Sequence, residues 1–194
     1  IFFKNQTVTA TETFMMAGVL AEGETVIKNA AMEPEIPALA EFLNRGGAKI
    51  EGAGTPTVKI KGGGLLFAKG EFFKVPPDRI EAGSFLILAA LAGRDVKISD
   101  CEPLHIESLV NLLKESGVKI EIGKNYLRVR APVIPGKALR AINIKTHEYP
   151  GFPTDLQAPM TVYLTQAEGK SLVFETIFEG RLNYTESLKR MGAE

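Results

Sequence analysis

Apolar residues recur along this chain at two periods, one helical and one strand-like, and the switch between them comes back three times. Phe14, Met15, Met16, Val19 and Leu20 sit at helical spacing, Ala21-Glu22-Gly23 reads as a turn, and Thr25-Val26-Ile27 reads as a short strand. A second helix is predicted over Ile36 to Leu43, followed by Gly46-Gly47-Ala48-Lys49-Ile50 and the strand Thr57-Val58-Lys59-Ile60. The same order returns from Phe85 to Leu91, with a turn at Ala92-Gly93-Arg94, a strand at Val96-Lys97-Ile98, and a helix from Ile106 to Glu115. Gly117 ends that helix, and Val118 to Ile122 and Tyr126 to Arg130 alternate as strands. A third copy begins at Met160 to Leu164, continues through Ala167-Glu168-Gly169 and Leu172-Val173-Phe174, and carries a helix through Leu188 to Gly192-Ala193, without its last strand pair. The pattern predicts an α/β (α+β) fold of repeated helix-strand-helix-strand-strand units, with mixed sheets covered by helices on one side.

Between the first two copies the pattern breaks. Gly62-Gly63-Gly64 is followed by Val75-Pro76-Pro77-Asp78, and two prolines before a helix-capping aspartate suit an extended crossing segment. This places a domain boundary between residues 1–75 and 76–194. The triple glycine has no Lys-Ser or Lys-Thr after it and no helix opening from it, so it reads as a hairpin turn rather than a phosphate cradle.

Composition narrows the function classes. With 45% apolar residues in 194, the chain has enough material for one or two cored units. Lysine plus arginine equal aspartate plus glutamate at 23 each, so no net field selects nucleic acid or an anionic membrane. A single cysteine, Cys101, excludes an internal disulfide and a Cys-rich zinc site, and fits a reducing cytoplasm. No run of about 18 apolar residues is present to cross a bilayer. The first residue is Ile1 rather than methionine, and the last copy is short, so the chain is expected to be an internal piece of a longer protein.

Three segments resemble one family in order and spacing across essentially the whole chain. Pro150-Gly151-Phe152-Pro153-Thr154-Asp155-Leu156-Gln157-Ala158 is similar to the proline-threonine-aspartate motif of the UDP-N-acetylglucosamine enolpyruvyl transferases. Asp78-Arg79-Ile80-Glu81-Ala82-Gly83 resembles a second block of that family. Glu175-Thr176-Ile177-Phe178-Glu179-Gly180-Arg181, with Arg190-Met191-Gly192-Ala193 after it, resembles a third. The resemblance implies two domains, each an inside-out α/β barrel of three repeat units with helices inside and the active site in the cleft between domains. Residues 1–75 would be the last unit of one barrel, and 76–194 the first two units of the other, the second of them truncated. It further implies transfer of the enolpyruvyl group of phosphoenolpyruvate to the 3-hydroxyl of UDP-N-acetylglucosamine, a cytoplasmic step of peptidoglycan synthesis. No cofactor and no metal are implied, and the partners are the two substrates and the remainder of the same enzyme chain.

Such a reaction needs a base for the hydroxyl, an acid for C3 and cations for phosphate and carboxylate. Asp155 matches the family aspartate favoured as base, and Thr154 lies beside it in the same motif. Read from its neighbours alone, Asp155 stands at a helix start, where backbone N–H groups would fix its carboxylate or where it would be a plain N-cap. Arg181 matches a cleft arginine, although an arginine after glycine in a loop also reads as a solvated surface residue. Ile177 matches an apolar position against the sugar nucleotide, and otherwise reads as core. Asn5, Gln6, Thr7 and Val8, just before the first helix, match the stretch that touches the UDP diphosphate, where some members carry lysine at the place of Asn5. The bland alternative for that stretch is a strand leading into an N-cap.

Arg79 and Glu81 read as an ion pair, His105 and His147 as structural histidines, and Cys101 as a small partly buried side chain. The family's cysteine acid and its lysine-asparagine pair would lie upstream of Ile1, so this polypeptide alone is expected not to turn over. The rivals are the enzyme of the same fold that acts on shikimate phosphate, and a non-catalytic nucleotide-sugar-binding fragment.

Overall fold

The computed structural model describes residues 1–67, 70, 72–92, 95–130 and 139–193, which leaves Gly93 and Arg94 of the expected second turn outside the described residues. Two compact units divide the chain, Ile1–Pro76 and Pro77–Glu194.

The first unit runs α1 (Val8–Leu20), β1 (Gly23–Lys28), α2 (Glu35–Arg45), β2 (Lys49–Glu51) and β3 (Thr57–Gly62). Its strands form an antiparallel sheet in the order β1-β3-β2, with Ile27 opposite Val58 and Ile50 opposite Ile60. Val58 and Ile60 point into the core while Lys59 points outward, as strand alternation requires. Met15 and Val19 of α1 and Ile36 and Leu43 of α2 close over the inner face. Burying each such side chain fully contributes about 1.5–3 kcal/mol.

Gly62-Gly63-Gly64 is not a hairpin turn. β3 is already the middle strand, flanked by β1 and β2, so it has no edge left for a following strand. Gly62 instead lets β3 end against α1: a Cβ there would lie 2.2 Å from the carbonyl oxygens of Gly18 and Ala21. Gly63 turns the chain away at φ +129°, and the Phe67 N–H donates to the Gly46 carbonyl at 3.0 Å.

The second unit repeats this plan. Asp78 caps α3 (Arg79–Ala92), its carboxylate accepting the N–H groups of Ile80 and Glu81 at 2.8 and 3.0 Å. β4 (Val96–Ser99), a 3₁₀ turn (Pro103–Ile106), α4 (Glu107–Glu115), β5 (Ile120–Ile122) and β6 (Tyr126–Val129) follow. The antiparallel order β4-β6-β5 is the order of the first unit. Gly47, Gly117 and Gly192 each stand just past a helix with φ between 95° and 105°, the left-handed stop that marks all three copies.

The third copy departs from the plan. β7 (Leu139–Arg140), β8 (Ile144–Lys145), α5 (Gln157–Leu164), β9 (Ala167–Glu168), β10 (Val173–Phe174) and α6 (Thr185–Arg190) make two parallel ladders, β7 with β9 and β8 with β10. Ala167 and Glu168, expected in a turn, are therefore a strand. Among the described residues each ladder between named strands is wholly antiparallel or wholly parallel, and mixed pairing appears only where Phe2 bridges in parallel to Lys28 at the free edge of β1. Strands of two residues show no alternation to read, and their partners precede α5 in the chain rather than follow it.

Leu86 and Ile87 of α3, Leu109 and Leu113 of α4, Leu127 and Val129 of β6, and Leu156, Met160 and Tyr163 form the second core. Cys101 belongs to it, and burial pushes its thiol up. The Arg79 guanidinium lies 5.8 Å from the Tyr149 ring centroid, within cation–π range. Among the described residues no helix is long and apolar enough to cross a membrane.

One property separates the first helix of each copy from the others. α2 and α4 are amphipathic, whereas α1, α3 and α5 carry large apolar residues on their outward sides as well as toward the core. The outward residues Phe14, Met16 and Leu20 of α1, Phe85 and Leu88 of α3, and Val162 of α5 are left exposed.

Candidate functional site

The second unit gathers polar chemistry where the chain enters α5. Thr146 pairs with Phe152 across a loop that contains the cis peptide Tyr149-Pro150, and Gly151 packs so closely that a Cβ would meet His147 Cβ at 2.5 Å. Phe152 and Leu156 anchor either side of the Pro153-Thr154-Asp155 corner in the core. Leu156 reaches α3 at Gly83, where an added Cβ would lie 2.5 Å from Leu156 Cδ1. The corner is thus fixed from beneath by apolar packing.

A 3₁₀ turn spans Thr154–Leu156, and the cap position is Pro153 in an extended conformation. Asp155 is consequently no N-cap, and no backbone N–H holds its carboxylate: it stands inside the turn, too late to bend back on the first amides, and proline offers no side-chain acceptor in its place. Arg181 holds it instead. One guanidinium nitrogen donates to Asp155 Oδ1 at 2.6 Å and the other to Thr154 Oγ1 at 2.9 Å, while the Phe178 ring centroid lies 5.1 Å from the guanidinium carbon. Asp155 is 57% exposed and Arg181 36%, so the ion pair contributes about 1 kcal/mol or less; its effect is orientation. Asp155 Oδ2 accepts no hydrogen bond from any described residue.

Behind this pair sits Glu175, which the sequence did not single out. Its Oε1 accepts the N–H groups of Ile177 and Phe178 at 2.8 and 3.1 Å, and its Oε2 accepts the Thr154 hydroxyl at 2.9 Å. Partial burial opposes its charge, but the Ile177 N–H, the Thr154 hydroxyl, the Phe178 N–H and Thr146 outweigh it and hold the carboxyl below its ordinary value. Buried Thr146 ties the same loop down, its hydroxyl accepting the Thr176 N–H at 2.8 Å and its carbonyl accepting the Thr176 hydroxyl at 2.6 Å. The only sequence signal for Glu175 is a carboxylate set two and three residues before loop amides, a pattern without a fixed reading.

A pH dependence follows. Because the folded value of Glu175 is depressed, its contribution to stability is complete above the ordinary glutamate value and is lost as pH falls through the lowered one. Amide exchange of residues 175–181 is expected to accelerate across that acid window in the wild type, and to change little there in Glu175→Gln. Equal acid sensitivity in both proteins would contradict it.

Of the remaining candidates, Ile177 is half-buried and belongs to neither core cluster, so the core reading does not hold for it. Asn5, Gln6, Thr7 and Val8 lie in the first unit. Val8 is the first residue of α1 rather than a residue before it, and its side chain packs on the core. Gln6 Nε2 donates to the Ala30 carbonyl at 3.1 Å. Thr7 stands at the cap position of α1 but its side chain makes no cap hydrogen bond, and no acidic residue occupies the first turn. Asn5 and Thr7 are exposed. Among the described residues no group of three or more His, Cys, Asp or Glu is placed to hold a metal.

Comparison with known proteins adds sequence relatives to this geometry. Residues 1–194 match the family described as EPSP synthase (3-phosphoshikimate 1-carboxyvinyltransferase). A UDP-N-acetylglucosamine 1-carboxyvinyltransferase of Acidobacterium capsulatum is 50% identical over 194 residues, covering 100% of this chain and 43% of its own. A protein named UDP-N-acetylglucosamine 1-carboxyvinyltransferase 1, of Caldanaerobacter subterraneus subsp. tengcongensis, is 49% identical over 193 residues, covering 100% of this chain and 45% of its own. The chain therefore spans less than half the length of these curated relatives. Among solved structures, the enolpyruvyl transferase NikO from Streptomyces tendae superimposes with a TM-score of 0.78 at 22% identity, over 93% of this chain and 42% of its own. EPSP synthase from Acinetobacter baumannii superimposes with a TM-score of 0.61 at 21% identity, over 99% of this chain and 44% of its own, which places the fold.

Proposed function

Because the chain belongs to the EPSP synthase family, we propose that it is part of an enzyme that transfers the enolpyruvyl group of phosphoenolpyruvate to the 3-hydroxyl of UDP-N-acetylglucosamine, releasing phosphate. The observation that carries this reading is the exposed Asp155 carboxylate, held through one oxygen by Arg181 while the other accepts no hydrogen bond from a described residue. A carboxylate so oriented can take the proton of the sugar alcohol as its oxygen attacks C2 of phosphoenolpyruvate and C3 gains a proton, after which phosphate leaves and C3 gives up a proton. Arg181, already beside it, supplies cationic stabilisation for the phosphate or carboxylate of the second substrate. Ile177, half-buried outside the core, offers an apolar contact to the sugar nucleotide.

Asn5, Gln6, Thr7 and Val8 are read as the diphosphate-binding stretch. Support comes from the start of α1, where the Thr7 hydroxyl makes no cap bond, no carboxylate fills the first turn, and the N–H groups of the opening residues remain for an anion.

The domain reading is that residues 1–75 are the last repeat of one barrel and 76–194 the first two of another, the remainder of the enzyme chain supplying the other repeats. α1, α3 and α5 support it physically. A helix with apolar residues on its outward side as well as its inward one is stable when covered on both, so each is suited to the interior of a barrel closed by further copies. The catalytic cysteine loop of the family lies outside this chain in that reading, and residues 1–194 alone do not turn over. The compartment that fits these substrates is the cytoplasm.

Titration calorimetry tests the substrate. A full-length transferase carrying this segment is expected to bind UDP-N-acetylglucosamine and not shikimate 3-phosphate. The reverse preference would move the assignment to the shikimate branch of the family. The identity of 49–50% to relatives named for the sugar nucleotide favours the first outcome.

A further inference from the structure

Thr154 has one hydroxyl proton and lies between two partners that each fix where it goes. Arg181 has donors only, so Thr154 Oγ1 must accept from it at 2.9 Å. The hydroxyl therefore donates to Glu175 Oε2, also at 2.9 Å, a hydrogen bond that is strongest when Glu175 is a carboxylate. Glu175 is held in that form and place by the Ile177 and Phe178 N–H groups on its other oxygen.

We propose that Glu175 is a positioning residue for the transferase site: by accepting the Thr154 hydroxyl hydrogen bond it turns the Thr154 lone pairs toward Arg181, which then holds Asp155 through one oxygen. This inference rests on the reading of Asp155 as the base. The polarity of the chain is fixed from end to end, from anionic Glu175 through the Thr154 hydroxyl and the Arg181 guanidinium to anionic Asp155. Loop 175–181 contributes two of its four groups, the Glu175 carboxylate and Arg181, and also the two amides that anchor Glu175. The geometry of the base is thereby coupled to the loop's own backbone.

An amide cannot replace Glu175 although it has the same shape. Both oxygens of the carboxylate face donors, two N–H groups on one side and an O–H on the other. Glutamine has one oxygen, so its NH₂ must face a donor on one side or the other. Either the loop amides or the Thr154 hydroxyl lose their acceptor, and the hydroxyl is no longer fixed with its lone pairs toward Arg181.

Glu175→Gln and Thr154→Val test this in two ways. In the 194-residue chain, nitrogen-detected NMR of the Arg181 guanidinium is expected to show slowed rotation of the terminal nitrogens in the wild type and free rotation in both variants. In a full-length transferase carrying this segment, Glu175→Gln is expected to lower kcat by about 10²-fold while the KM for the sugar nucleotide changes less than about threefold. Should Glu175→Gln disorder the loop, Thr154→Val keeps the loop amides paired and carries the test. Restrained Arg181 rotation in both variants overturns the proposal. Free rotation in both variants with unchanged kcat shows that the hydrogen-bond chain exists but that Asp155 is not the base, which separates failure of the functional reading from failure of this one.

Discussion

Asp155→Ala in a full-length transferase carrying this segment is expected to lower kcat by about two to four powers of ten, the range for loss of a general base, with folding intact. Folding should survive because the side chain is 57% exposed and its ion pair with Arg181 is a surface pair. Asp155→Asn should fall nearly as far, since it keeps the shape and the Arg181 contact through its oxygen but cannot accept the hydroxyl proton. Steady-state kinetics with both substrates varied checks it. Turnover within a factor of about three of wild type would remove Asp155 from the base role.

Leu156→Ala should have the largest effect on stability, about 2–5 kcal/mol, confined to the second unit. Leu156 is fully buried, sits one residue from Asp155, and fills the space that Gly83 leaves on α3. Its truncation opens a cavity directly under the Thr154-Asp155 corner. Native-state hydrogen exchange resolves the two units: amides of α3 and α5 should lose protection while those of α1 and β3 keep theirs. Destabilisation below about 1 kcal/mol, or equal loss in both units, would show that the corner is not supported from this core.

Much of the fold was legible because the repeat is written at two scales. Long helices such as Glu107–Glu115 carry apolar residues at Leu109, Val110 and Leu113, and strands such as Thr57–Gly62 alternate Val58 and Ile60 with Lys59 and Lys61. The left-handed glycines at 47, 117 and 192 punctuate each copy in the same place. The two parallel ladders were not legible, since two-residue strands leave no periodicity and their pairing is set by the tertiary path around α5. Gly62-Gly63-Gly64 misled for a related reason. Glycine reports that the backbone is crowded or turned, and here it was crowded by the carbonyls of Gly18 and Ala21.

The site was legible only as far as the motif resemblance reached. Thr154, Asp155, Ile177 and Arg181 came from matched blocks, and the structure brings these four into one corner of the second unit. Asn5 to Val8 belong to the first unit. Glu175 was missed because its importance lies in what it accepts from a hydroxyl 21 residues earlier and from two amides of its own loop. Those are relations of geometry, and a glutamate before a threonine carries no pattern that reports them.

A crystal structure of a full-length transferase carrying this segment, with UDP-N-acetylglucosamine bound, measures the central claim directly. The Asp155 oxygen not held by Arg181 is expected within about 2.6–3.2 Å of the sugar 3-hydroxyl, or one water from it. A bound sugar whose 3-hydroxyl lies beyond reach of that carboxylate, with the Asp155-Arg181 pair turned away from the ligand, would contradict it.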